Sequence, residues 1–131
     1  MDLNQITEKI IGCSIEVHKS LGPGLLESAY EECLSYELIK SGLKIERQKP
    51  VTIFYKEVQI DCGYKIDILV EDAVIIELKA SEGITPVHEA QVLTYLKFSN
   101  KKIGLLINFN VLILKNGLRR FIKEFTLKSR Y

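Results

Sequence analysis

The segment VIIELKA, residues 74–80, is an apolar run that carries Glu77 and Lys79 two positions apart, hence on one side of any strand they occupy. Charged side chains are almost never buried unpaired, so these two must share a cleft, pair with each other or bind something. A third candidate, Asp67, lies in KIDILV, ten residues before Glu77, with the acidic turn Glu71-Asp72 between them. If the two segments form a hairpin, register decides whether the carboxylates meet. A two-residue loop at Glu71-Asp72 pairs Asp67 with Ile76 and sends Glu77 to the other face. A three-residue loop, Glu71 to Ala73, pairs Asp67 with Glu77 and leaves Lys79 on the same face. The second register is the expectation.

Two opposed carboxylates repel and drive one pKa up unless a cation lies between them. Mg²⁺ suits the position, because it takes oxygen ligands, usually one or two carboxylates with waters and substrate phosphate. The main-chain carbonyl of Leu78 offers a third protein oxygen beside Asp67 and Glu77. Lys79 could then orient or deprotonate an attacking water and offset charge on a pentavalent phosphate. Hydrolysis of a phosphodiester is the chemistry this set suits. Spacing alone nevertheless favours a structural Glu-Lys pair with Asp67 ending an adjacent strand, since D-x(n)-E-x-K is short and frequent by chance.

Elements that would hold these residues can be read on both sides. Ile6, Ile10, Cys13 and Val17 recur at helical spacing before the break LGPG at 21–24. Leu26, Ala29, Tyr30, Cys33, Leu34 and Leu38 make a second helical stripe that stops near Ser41-Gly42. From Leu43 the period becomes two, through VTIFYKEVQI (51–60), GYKIDILV (63–70) and AVIIELKA (73–80), which predicts an antiparallel meander of three strands. TPVHEAQVLTYLKFSN predicts a helix from about 86 to 99, with Thr85 as N-cap and Pro86 in the first turn. IGLLINF and VLILKNGLRRFI predict two or three further strands, the first uniformly apolar as a central strand covered on both faces would be. The order is that of an α/β domain with a mixed sheet.

At 131 residues the chain suits one domain spanning 1–131. It is 47% hydrophobic and 27% charged, and no apolar run approaches the roughly 20 residues of a membrane helix. The start, MDLNQITEKIIG, lacks the pattern of a signal peptide, so a cytoplasmic protein without membrane partners is expected. Cys13, Cys33 and Cys62 have no CxxC spacing and read as reduced thiols. His18 and His88 lack companions at zinc-ligand spacing; His18 reads as structural, and His88 lies one turn before Gln91. The GPG stretch lacks the Lys-Ser/Thr of a phosphate loop and reads as a sharp turn between helices. A net charge of +1 gives no general attraction to nucleic acid, so any such contact needs a local patch, for example Lys101-Lys102 or Arg119, Arg120 and Lys123.

Three stretches, GLLESAY at 24–30, IELKA at 76–80 and AQVLTYLK at 90–97, occur together in this order. With them the chain resembles the GxxExxY protein family, a branch of the PD-(D/E)XK nuclease superfamily, over about residues 10–123. The resemblance implies a restriction-endonuclease-like αβββαβ core, its mixed sheet flanked by helices. It implies Asp67 as the hairpin aspartate, Glu77 and Lys79 as the E-x-K pair, and Glu27 as the first-helix acid, with Gly24 and Tyr30 as companions. Gln91 and Tyr95 match a Q-x-x-x-Y feature, and one helical turn separates them, which puts both on one face. Where related sequences often carry Arg two residues before the hairpin aspartate, this chain has Lys65, which lacks bidentate phosphate binding.

The expectation is a nuclease that hydrolyses phosphodiester bonds of DNA with Mg²⁺ or Mn²⁺. Asp67, Glu77 and the Leu78 carbonyl would hold the metal, Glu27 would contribute to the metal or its water, Lys79 would be the catalytic lysine, and Gln91 and Tyr95 would position substrate. Two rivals stand beside it. One is a catalytically inactive module of the same fold that binds nucleic acid or a protein; the other is a structural or regulatory subunit whose charges only pair with each other. A homodimer could form through an edge strand such as VLILK.

Overall fold

The computed structural model describes residues 1–123; the end of the expected domain, 124–131, lies outside the described residues. Asp2 starts the first helix, α1 (Leu3–Leu21): its carboxylate accepts the Gln5 N–H while the Gln5 side chain accepts the Asp2 N–H, a reciprocal cap. Gly22 ends it in a conformation with φ 65°, and a short turn leads into α2 (Glu27–Lys40). Tyr30 holds that turn. Its hydroxyl donates to the Gly22 carbonyl at 2.6 Å and accepts the Leu25 N–H at 3.1 Å, while its ring stacks on Phe109. The tyrosine is therefore a core residue that fixes where α2 begins.

The strands follow as β1 (Ile45–Pro50), β2 (Ile53–Tyr55), β3 (Val58–Ile60), β4 (Lys65–Val70) and β5 (Val74–Lys79), then α3 (Pro86–Ser99), β6 (Ile103–Asn108) and β7 (Leu118–Ile122). Five of them form one sheet in the order β1-β4-β5-β6-β7. Only β5 and β6 run parallel, and α3 makes the crossover that parallel neighbours require. The α/β class, the mixed sheet and the helix at 86–99 are as the sequence predicts.

Two strand assignments need correction. Residues 51–60 do not form the first strand of the meander. They fold on themselves as the β2–β3 hairpin, a separate sheet turned at Lys56-Glu57, with Lys56 at φ 53°. The strand that pairs with β4 is β1, whose residues are mostly exposed, so it reads as polar in sequence while the surface hairpin carries the apolar alternation. Nor do Val111 to Leu114 form a strand. Asn108 bends the chain after β6: its Oδ1 accepts the Ser81 and Asn110 N–H groups, and its Nδ2 donates to the Ser81 carbonyl. Leu112 and Ile113 stay exposed, a 3₁₀ turn follows at Leu114–Gly117, and β7 begins only at Leu118. The edge expected at VLILK is thus not built, and among the described residues the outer strands of the sheet are β1 and β7.

Apolar residues cover both faces of the sheet. On one, α1 and α2 bury Ile6, Ile10, Tyr30, Leu34 and Leu38 against Ile76, Leu78, Leu105 and Ile107. On the other, α3 sets Val92, Tyr95 and Leu96 against Ile75 and Leu106. Every residue of β6 is buried, the signature of a central strand. No helix among the described residues is long and apolar enough to cross a membrane. Gly104 lets α3 approach closely, since a Cβ there would lie 2.8 Å from Val92 Cγ1. Gly104→Val should therefore cost about 1–3 kcal/mol, read as a lower urea midpoint, and Val92→Ala in that background should recover part of the loss.

Candidate active site

Strands β4 and β5 pair from Val70↔Val74 to Ile68↔Ile76, the register of a three-residue loop at Glu71 to Ala73. Glu71 and Asp72 both adopt positive φ, 52° and 51°, and the Ala73 N–H donates to the Val70 carbonyl, so a primed turn matches the twist of the hairpin. Continued by one step, the same register sets Asp67 opposite Glu77. There the ladder stops and the carboxylates take the place of main-chain acceptors. The Asp67 N–H donates to Glu77 Oε1 at 3.1 Å, and the Leu78 N–H donates to Asp67 Oδ2 at 2.8 Å. A strand residue points its N–H and C=O to the same side, so the Leu78 carbonyl faces the same opening.

Burial strains this pair electrostatically. Glu77 is 3% exposed. Desolvation, and next the charge of Asp67, push its carboxyl up to about 9. Asp67 is also raised, chiefly by burial, against the pull of the Leu78 N–H. Among the described residues neither Glu77 nor Lys79 takes part in an ion pair, so the structural Glu-Lys pair that spacing favours is not formed.

A cleft of about 450 Å³ opens at this fork, and Glu27, Asp67, Glu77, Lys79, Gln91 and Tyr95 all line it. Glu27 is the first residue of α2; burial raises its carboxyl and the nearby Lys79 lowers it in part. From α3, Gln91 Nε2 donates to the Tyr95 hydroxyl at 3.3 Å, and burial with the charge of Glu77 raises the phenol. Lys65 lines the cleft as well. His88 does not: its ring accepts the Thr85 N–H and caps α3. His18 Nε2 lies 2.7 Å from the Val111 carbonyl, a structural contact as expected.

Sequence reasoning missed Gln48 and the Cys62 to Tyr64 segment, which also line the cleft. It missed too the support behind Gln48, where Glu31 accepts from Arg47 and Gln48. One signal was available: Glu31 lies one turn beyond Glu27, and a second carboxylate on that face needs a donor.

The donor set fits a hard divalent cation. No three His, Cys, Asp or Glu side chains converge as a metal cage among the described residues. Mg²⁺ does not need one, because two carboxylates, one carbonyl and retained waters complete its shell. Without an added cation, between the ordinary carboxyl range and about pH 9 the folded protein keeps a proton on Glu77 that the unfolded chain has released. Stability from this group is thus complete at low pH and lost as pH rises through that window. Glu77→Gln keeps the acceptor for Asp67 and removes the charge. In chelator at about pH 8 the variant should melt above the wild type, and the gap should close toward pH 4.5; parallel melting curves across pH would refute this.

A comparison with the curated proteins finds no match. A sequence model of the PD-(D/E)XK nuclease superfamily, whose nucleases generally use divalent metal ions, matches residues 4–121. That match takes in α1 apart from its first residue, the five-stranded sheet apart from the last residue of β7, and the entire cleft. The chain belongs to the PD-(D/E)XK nuclease superfamily and has its restriction-endonuclease-like αβββαβ core.

Proposed function

We propose that the protein is a metal-dependent nuclease that hydrolyses phosphodiester bonds of DNA, with Asp67, Glu77 and the Leu78 main-chain carbonyl as ligands of Mg²⁺ or Mn²⁺. The observation that carries this reading is the carboxylate pair at the β4–β5 fork, Glu77 buried and Asp67 half-buried, which enters no ion pair among the described residues and opens on a polar cleft. When bound, the divalent ion supplies positive charge at the scissile phosphate and lowers the pKa of a water.

The protein's own groups do the rest. Asp67 and Glu77 are each tied to the opposite strand by a main-chain N–H, and both line the cleft. Lys79, free of ion pairs among the described residues, presents its Nζ donors to the attacking water or to a phosphate oxygen. Glu27 lines the cleft from α2 and would accept a hydrogen bond from a water held by the bound ion. Gln91 and Tyr95 line the opposite wall and orient the sugar-phosphate chain through the amide and hydroxyl.

The test is cleavage of labelled single-stranded, duplex and branched DNA in Mg²⁺ and Mn²⁺ by the wild type, Glu77→Ala and Lys79→Ala, purified identically. Metal-dependent cutting should be present in the wild type and fall by at least 10²-fold in each variant. Affinity for DNA without cutting would replace this reading with the inactive binding module.

A further inference from the structure

Gln48 is the one residue of β1 whose main chain leaves the strand conformation: its φ is 52°. The β1–β4 register passes from Arg47↔Ile68 to Lys49↔Ile66 and skips it, so Gln48 stands across from Asp67. A non-glycine residue at positive φ is disfavoured sterically and persists only where its surroundings hold it. Here the hold is visible. Gln48 Nε2 donates to Glu31 Oε1 at 2.7 Å and, more weakly, to Asp67 Oδ1 at 3.4 Å. Glu31 is gripped in turn by the Arg47 guanidinium, with Nε at 3.0 Å and Nη2 at 2.8 Å, and the same Arg47 reaches Glu32 at 3.0 Å.

We infer that Gln48 is a positioning residue of the cleft, which orients the Asp67 carboxylate for a divalent cation by tying it through one amide to the Arg47-anchored Glu31. Asp67 is then held from both sides, Oδ2 by the Leu78 N–H and Oδ1 by the Gln48 amide. The residue type is informative. A lysine or arginine at this position would neutralise Asp67, and a carboxylate would repel it, whereas a neutral amide orients the oxygen and leaves its charge available. The strained backbone is what turns this side chain from the strand toward the cleft. This inference rests on the metal-binding reading above.

Glycine separates a positioning role from a merely structural one, because it adopts positive φ without strain and lacks the amide. The experiment is calorimetric titration with Mn²⁺ of the wild type, Gln48→Gly, Glu31→Ala and the double variant, with melting curves of each in chelator. Gln48→Gly should melt at or above the wild-type temperature yet bind Mn²⁺ about 10–100-fold more weakly, the usual effect of removing an outer-shell partner. Glu31→Ala should weaken binding in the same direction, and the double variant should lose no more than Gln48→Gly alone. Wild-type affinity in Gln48→Gly, a fall in its melting temperature, or fully additive losses in the double variant would each overturn the inference while leaving the metal site standing. Absence of Mn²⁺ binding by the wild type would instead remove the metal site, and this inference with it.

Discussion

The structure turns on one exchange at the β4–β5 fork, where Asp67 and Glu77 each accept a main-chain N–H from the opposite strand. In an ordinary hairpin the main-chain ladder would continue past this point. Here the strands separate after Ile68 and Ile76, and two carboxylates close the gap. The substitution orients both acids at once, since neither can rotate without leaving a strand N–H unsatisfied. It also buries like charges side by side, which is why the Glu77 carboxyl is driven so far from its ordinary range.

Such a pair needs a rigid frame, and the three layers supply it. The fully buried β6 fixes β5 through a parallel ladder that runs from Val74↔Ile103 to Lys79↔Asn108. Asn108 then clasps Ser81 through two hydrogen bonds, which fix the chain as it leaves Lys79. Gly104 brings α3 down onto the sheet, which places Gln91 and Tyr95 against the cleft. On the other layer Tyr30 stacks on Phe109 and pins the turn before α2, and this sets the position of Glu27. The glycine, acid and tyrosine of GLLESAY thus divide their work: Gly24 turns the chain at φ 99°, Tyr30 locks the turn and Glu27 reaches the cleft.

The polar groups of this cleft are arranged at the expense of local stability, as sites commonly are. Among the described residues Glu77 is buried without a counter-charge in ion-pair contact, and Gln48 holds a disfavoured backbone. Elsewhere among the described residues α1 and α3 carry reciprocal caps, buried polar side chains have partners with Ser35 Oγ excepted, and the other non-glycine residues at positive φ, Lys56, Glu71, Asp72 and Asn100, lie in turns or at a helix C-cap. Both departures converge on Asp67, one across each edge of β4. The buried acid and the strained Gln48 thus meet at the cleft.

The sequence by itself determined the helices, the central strand and the hairpin register, because these follow from local periodicity, caps and turn length. The alternation in KIDILV and VIIELK, with three residues between them, leaves Asp67 and Glu77 opposed once the buried face is chosen. Only the tertiary structure decided which polar segment completes the sheet. An edge strand such as IERQKP buries little and so has no apolar signature, whereas VTIFYKEVQI alternates well and yet folds back on itself at the surface. VLIL likewise reads as a strand until Asn108 turns the chain away. The same limit hid Gln48, since its part depends on a positive φ and on a helix acid distant in sequence, neither of which local pattern encodes.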